Sequence, residues 1–281
     1  MILRRHGPWA LATPSALFFL IFFVAPATHL FLTGFWRMRS YALSHEFNLA
    51  NYVEVFEGYW DSLLFTFAMA FLIACCTTLV AFVFAYGTRF MFPRWSAALL
   101  GLILLTLFGG YLTKVYAWKT ILGSTGVINS ALAMLGLTDQ PIDMFLYNPV
   151  AVVIALTHYL LPLAILPLYG SLRAIDDETL EAASDLGAGR WRGFRDVVLP
   201  QCRTGVIVSF TLTFLFTAGD YVTARLVGGP VTSMMGVFIQ NQFGSRFNPP
   251  LGAAMSFTVI AFSALVIVLV GFILHRALRV R

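Results

Sequence analysis

One carboxylate stands out by where it falls. Asp220 interrupts an otherwise uncharged run between Arg203 and Arg225. A carboxylate held at membrane depth costs a few kcal/mol (about 3) unless it finds a partner. It is either an attraction point for a cationic substrate or half of a structural pair with Lys114 or Arg225. Arg225 is little more than one helical turn away, which favours the pair. An ammonium group also sits well over an aromatic face. Tyr111, Tyr116, Trp118, Tyr159 and Tyr221 are therefore candidates to line a pathway for a cation, although each also suits an interfacial aromatic belt.

Other chemistry is missing. There is no GxxxxGK[ST] run, and Gly187–Gly193 (GAGRWRG) is basic and glycine-rich without the Lys-Ser/Thr ending. HExxH, GxSxG and CxxC do not occur. His6, His29, His45, His158 and His275 are scattered, and His158 reads as a packing or hydrogen-bonding residue. Cys75, Cys76 and Cys202 give neither a disulfide framework nor a metal spacing. The expectation is a chain that is not an enzyme and holds no metal or cofactor.

The longest polar stretch is residues 173–203, RAIDDETLEAASDLGAGRWRGFRDVVLPQCR. Asp176 or Asp177 can cap a short helix, with Glu178 in its first turn. Gly187 suits its stop. A second short helix carries Trp191, Phe194 and Val198 on one face and Arg190, Arg192 and Arg195 on the others, and Leu199-Pro200 ends it. An ordinary basic loop snorkelling to lipid headgroups would have some of these features. Two short helices around a glycine hinge point to a docking surface.

The elements that must position these residues follow from composition. Of 281 residues, 59% are hydrophobic and only 11% charged, against about 25% in soluble domains. A soluble fold, a disordered chain and a disulfide scaffold are excluded; a polytopic helical membrane protein remains. The net charge of +5 belongs with cytoplasmic loops rather than nucleic acid. Charge-free gaps predict six helices at about 10–35, 61–87, 96–118, 145–172, 204–225 and 251–275. Residues 120–138 and 226–245 are also uncharged, but Gly, Asn, Ser and Gln make them short surface or re-entrant pieces. Pro162 and Pro167 are expected to kink the fourth helix, and Gly109-Gly110 to loosen the third. The N-terminal run continues to Trp36, longer than a signal-peptide core, and reads as an uncleaved first span.

Orientation follows from the basic residues. Arg4, Arg5, Arg89, Arg94, Arg173, Arg190, Arg192, Arg195, Arg203, Arg276, Arg279 and Arg281 fall on one side. The other side holds Arg37, Arg39, Lys114, Lys119, Arg225 and Arg246. The positive-inside rule then places both termini and residues 173–203 in the cytoplasm. Trp36, Tyr59, Trp60, Trp95 and Trp118 lie near span ends, as interfacial aromatics do.

The loop also carries a family likeness. Glu181-Ala182-Ala183, three residues, Gly187, nine residues, then Val197-Val198-Leu199-Pro200 resembles the EAA loop of ATP-binding-cassette importer permeases, with Val197 in place of Ile. Residues 115–137, 161–188 and 218–229, and more loosely 234–243, resemble spermidine/putrescine-type permeases, many of which have Glu where Asp220 stands. The resemblance implies an all-α, type I importer fold with residues 1–281 as a single permease domain in the bacterial inner membrane. It implies Glu181, Ala182, Ala183 and Gly187, followed by Leu199 and Pro200, as the contacts with the ATPase. The implied partners are an ATP-binding subunit dimer, a second permease subunit, a periplasmic solute-binding protein and membrane lipid. The cargo implied is a polyamine, with opines, amino-acid-like solutes and phosphonates as alternatives. An ion-driven carrier or channel would instead call for intramembrane charge pairs and internal repeats, and a membrane scaffold would not need the EAA spacing.

Overall fold

The computed structural model describes residues 8–39, 42–138, 140–142 and 145–277. Arg4, Arg5, Arg279 and Arg281, used above for orientation, lie outside the described residues, as does Asp143. Among the described residues, four helices are long and apolar enough to cross a membrane, and two bent helix pairs raise the number to six. The chain forms two compact units, Met1–Trp60 with Phe238–Ile260, and Asp61–Val237 with Ala261–Arg281.

In the first unit, α1 (Ala12–Thr33) is a span with 6% of its apolar window buried. A hairpin of two short strands follows, β1 (Arg37–Arg39) and β2 (Ala42–Ser44), with Met38 opposite Leu43. Helix α2 (Ala50–Gly58) follows. The buried Asn51 amide donates to the carbonyls of Gly34 (2.9 Å) and Trp36 (2.7 Å), satisfying the backbone where α1 unwinds. Tyr59 Oη accepts from Gln242 (3.3 Å) and Arg246 (3.2 Å).

The second unit begins one residue into α3 (Trp60–Met91), whose last turn is a π-helix at Gly87–Met91. The helix expected at 96–118 is broken. Helix α4 (Ser96–Leu107) stops at Phe108–Gly110, and α5 (Tyr111–Leu122) leaves at 94°. The break falls at Gly109-Gly110, where Gly110 takes the extended conformation that starts α5. Helix α6 (Val127–Met134) is the short piece expected after it.

Helix α7 (Pro149–Arg173) is capped by Asn148, whose side chain accepts from the Ala151 amide at 3.0 Å. It runs unbroken through Pro162 and Pro167. Helices α8 (Asp177–Asp185) and α9 (Arg190–Gln201) form the polar loop, and α10 (Arg203–Ala218) follows at 61° to α9. The fifth span expected at 204–225 therefore ends at Ala218, and Asp220 lies in the break after it. A π turn (Ala224–Gly228) and α11 (Met235–Phe243) follow. The last helix, α12 (Pro249–Ala277), completes the order.

Helices α7 and α10 make the most extensive helix pair. Buried Ser209 donates to the Ala164 carbonyl at 2.7 Å. A Cβ at Gly205 would stand 2.6 Å from Ser171 Oγ and 2.8 Å from the Pro167 carbonyl. Only a residue without a side chain allows this approach, the usual way membrane helices gain contact without a hydrophobic drive.

Candidate functional site

Two groups of candidate residues lie on the second unit, joined by α7. One is the polar loop at its Arg173 end; the other surrounds Asp220, toward its Pro149 end. About 20 Å of helix separates Tyr159 from Arg173.

In the loop, Asp176 precedes α8 and its carbonyl takes the Thr179 amide at 3.1 Å. Asp177 and Glu178 fill the first turn, where the helix dipole favours negative charge. Gly187 stops the helix with φ of +81°. The Gly187 amide reaches the Ser184 carbonyl (2.9 Å) and the Ala188 amide reaches Ala183 (3.0 Å), the paired bonds of a glycine stop. Glu181 and Ala182 are exposed, Ala183 is half-buried, and Leu186 at the apex is 90% exposed. Leu199 is half-buried and Pro200 buried, so these two hold the loop down rather than present it.

The loop is fastened to the helices beneath it. Phe194 packs edge-on against Phe82 (6.0 Å) and Tyr86 (5.6 Å), and Val198 joins a core with Ala85, Ile165 and Leu172. Trp191 stacks on Phe194 at 5.6 Å yet stays 70% exposed. From α3, Arg89 binds the Asp177 carboxylate at 2.7 Å and the Ile175 carbonyl at 3.3 Å. Sequence reading missed this pair, since 88 residues separate its members.

Asp220 is 5% exposed and well partnered. Tyr111, the first residue of α5, donates its phenol to one carboxylate oxygen. The Thr223 amide reaches the same oxygen at 3.4 Å and the Ala224 amide the other at 3.3 Å. The Thr223 hydroxyl lies 2.7 Å from the Tyr111 oxygen. Asp220 thus caps the turn after it while tying the chain beyond α10 to the first residue of α5. No ion pair links it to Lys114, one of the two partners proposed for it: the Lys114 amine instead stands 5.3 Å from the centre of the Tyr159 ring. A Cβ at Gly236 would fall 2.5 Å from the Asp220 carbonyl, so the start of α11 presses on this corner.

Three rings from three helices cluster beside the carboxylate. Tyr111 is 4.6 Å from Tyr159 and 5.7 Å from Phe216, and Tyr159 is 5.2 Å from Phe216. Of the six residues expected along a pathway, the structure joins Tyr111, Tyr159 and Asp220. Tyr221 adjoins Asp220 in the chain but is 42% exposed, and Tyr116 is 52% exposed. Trp118 donates to His158 Nδ1 at 3.2 Å, giving that histidine the hydrogen-bonding role expected of it. Thr223 and Phe216 were missed. Asp-x-x-Thr after a glycine is an N-cap pattern that would have identified Thr223.

The chain matches the family described as "Binding-protein-dependent transport system inner membrane component" over residues 95–281. It is 32% identical over 265 residues to the spermidine/putrescine transport system permease protein PotB of Haemophilus influenzae, covering 92% of this chain and 90% of that protein. It is 31% identical over 214 residues to PotB of Escherichia coli, covering 76% and 78%. The inner membrane ABC transporter permease protein YdcU of Escherichia coli is 29% identical over 267 residues, covering 90% and 84%. Among solved structures, a chain of the bacterial alginate ABC transporter in complex with an alginate-bound periplasmic protein shares the fold, with a TM-score of 0.69 at 17% identity over 94% of this chain and 91% of that one. The all-α bundle with its broken spans, the EAA loop and the match over residues 95–281 have one reading: the chain belongs to the inner-membrane permease family of binding-protein-dependent ABC importers.

Proposed function

We propose that this chain, working as one permease domain of residues 1–281, imports a polyamine. Energy would come from an ATP-binding subunit dimer docked on residues 173–203, with a second permease subunit completing the pathway. A periplasmic solute-binding protein would deliver the cargo, and both termini would face the cytoplasm. The observation that carries this reading is the loop itself. It presents an exposed Leu186 and Trp191 on two short helices, yet is fastened to α3 and α7 by Arg89, Phe194 and Val198. Such a surface passes a push to the long helices instead of absorbing it.

In this mechanism Glu181, Ala182, Ala183 and Gly187 meet the ATPase, while Leu199 and Pro200 seat the loop. Closure of the ATPase dimer displaces α8 and α9, and α7 and α10, packed along their length, move with them. The movement reaches the middle of α7, where Tyr111, Tyr159 and Phe216 surround Asp220. A buried carboxylate among ring faces suits an ammonium group. Lys114 occupies the Tyr159 face here, and an amine of the cargo would compete for the same face. Tyr116, Trp118 and Tyr221 would flank the route. The spermidine/putrescine relatives support the cargo class.

The test is a thermal-shift screen of the cognate binding protein against polyamines, opines, amino acids and phosphonates, followed by uptake of the stabilising solute into vesicles holding the whole transporter. Stabilisation by spermidine or putrescine with ATP-dependent uptake is expected. Stabilisation by an anionic or opine solute alone removes the polyamine assignment. Loss of the ATPase on Gly187→Asp is expected, and its retention would overturn the docking role of the loop.

A further inference from the structure

Two cavities meet at Thr88, where α3 turns into α4. The first, of about 270 Å³, is lined by Arg89, Arg173, Tyr169, Ser96 and Pro93 together with Thr88. The second, of about 460 Å³, runs along Val83, Phe84, Gly87, Met91, Trp95 and Leu99, so its walls are nearly all carbon. One end is doubly cationic, the other a groove for hydrocarbon.

The cations have capacity to spare. Arg89 uses one terminal nitrogen on Asp177 and Ile175, but its Nε is buried with no hydrogen-bond partner. Arg173 makes no ion pair among the described residues. A guanidinium left with free donors favours a phosphate, which accepts two parallel bonds. Trp95, 66% exposed at the rim of the apolar groove, is the residue type that settles at headgroup depth.

We propose that this corner binds an anionic phospholipid, with its phosphate between Arg89 and Arg173 and an acyl chain along the groove past Gly87. A soluble phosphate fits the cationic cavity but leaves the adjoining apolar groove empty; a phospholipid fills both. The site also touches the loop mechanism, because Arg89 is the residue that fastens Asp177. The bound headgroup and the loop share one guanidinium, so lipid charge bears directly on how firmly α8 is held.

The experiment uses the transporter assembled with its partner subunits in nanodiscs of equal parts phosphatidylcholine and phosphatidylglycerol. The complex is then extracted into detergent and its retained lipids counted by mass spectrometry. The native complex is expected to retain phosphatidylglycerol over phosphatidylcholine. Arg173→Gln lowers that ratio about fivefold, the attraction expected of one interfacial cation, while Arg173→Lys keeps most of it. Gly87→Leu is the second variant: a Cβ there meets nothing within 4 Å, so the added side chain enters the groove and expels the lipid. An unchanged ratio in both Arg173→Gln and Gly87→Leu overturns the proposal. So does a site that inorganic phosphate competes for and Gly87→Leu leaves intact, which marks free-anion binding. The readout is retained lipid, not uptake, so it stands apart from the cargo assignment.

Discussion

At the scale of single residues, the pair Tyr111–Asp220 decides most. Tyr111→Phe removes the phenol and leaves a carboxylate oxygen short of a donor. Thermal unfolding of the assembled transporter should show a loss of about 2 kcal/mol. Asp220→Asn is expected to behave differently. Asn keeps one acceptor oxygen for Tyr111 and Thr223 but turns its amide nitrogen toward the Ala224 amide, so about 1 kcal/mol of stability should be lost. If the charge draws a cation, uptake should fall about tenfold, the effect of roughly 1.4 kcal/mol. Equal uptake by Asp220→Asn and the native protein would leave the acid a structural cap. Gly187 carries a separate prediction. With φ of +81°, a β-branched residue is strained there by about 1–2 kcal/mol. Gly187→Val should leave the membrane helices intact but reduce the ATPase recovered with the chain on affinity purification. The loop's stop was legible beforehand because Gly187 follows a short polar helix at a spacing that local rules describe, although the cap expected of Asp176 or Asp177 is not made. The contact of Tyr111 with Asp220 was not, because it spans 109 residues and no local pattern announces it.

At the scale of elements, the charge-free gaps locate the spans because hydrocarbon excludes ionised groups, and α7 begins and ends within a few residues of its expected bounds. Two interruptions escaped notice for different reasons. Gly109-Gly110 has two meanings in a membrane helix, a close-packing surface or a break, and only the neighbours decide between them. Asp220 was weighed as a charge inside a helix, whereas it is the cap that begins a new turn. The closeness of α11 to this corner gives a prediction at the same scale. A Cβ at Gly236 would stand 2.5 Å from the Asp220 carbonyl, while one at Gly101 meets nothing within 4 Å. Gly236→Ala should therefore lower the melting temperature of the transporter, and Gly101→Ala should leave it unchanged or raise it slightly, as helix propensity favours Ala by about 1 kcal/mol.

At the scale of the whole molecule, orientation is open to direct test. Leu186 is 90% exposed at the apex of the loop. A membrane-impermeant maleimide should label Leu186→Cys in inverted vesicles and not in right-side-out ones. Labelling from the outside would reverse every assignment that rests on the distribution of arginines. The burial of the spans differs as well: 6% of the α1 window is buried, against 39% for α3 and 44% for α7. Lipid or another subunit must cover α1.

The broken third span bears on how the chain enters the membrane during synthesis. Each limb, α4 and α5, has 12 residues, about 18 Å of helix, while the hydrocarbon layer is about 30 Å thick. Neither limb alone is long enough for the translocation machinery to release sideways as a finished helix. The Tyr111 phenol that opens α5 finds its carboxylate partner only once Asp220, made more than a hundred residues later, has arrived. Residues 93–134 should therefore stay at the translocon until the C-terminal half is made, so that the order of biogenesis departs from the order of the chain.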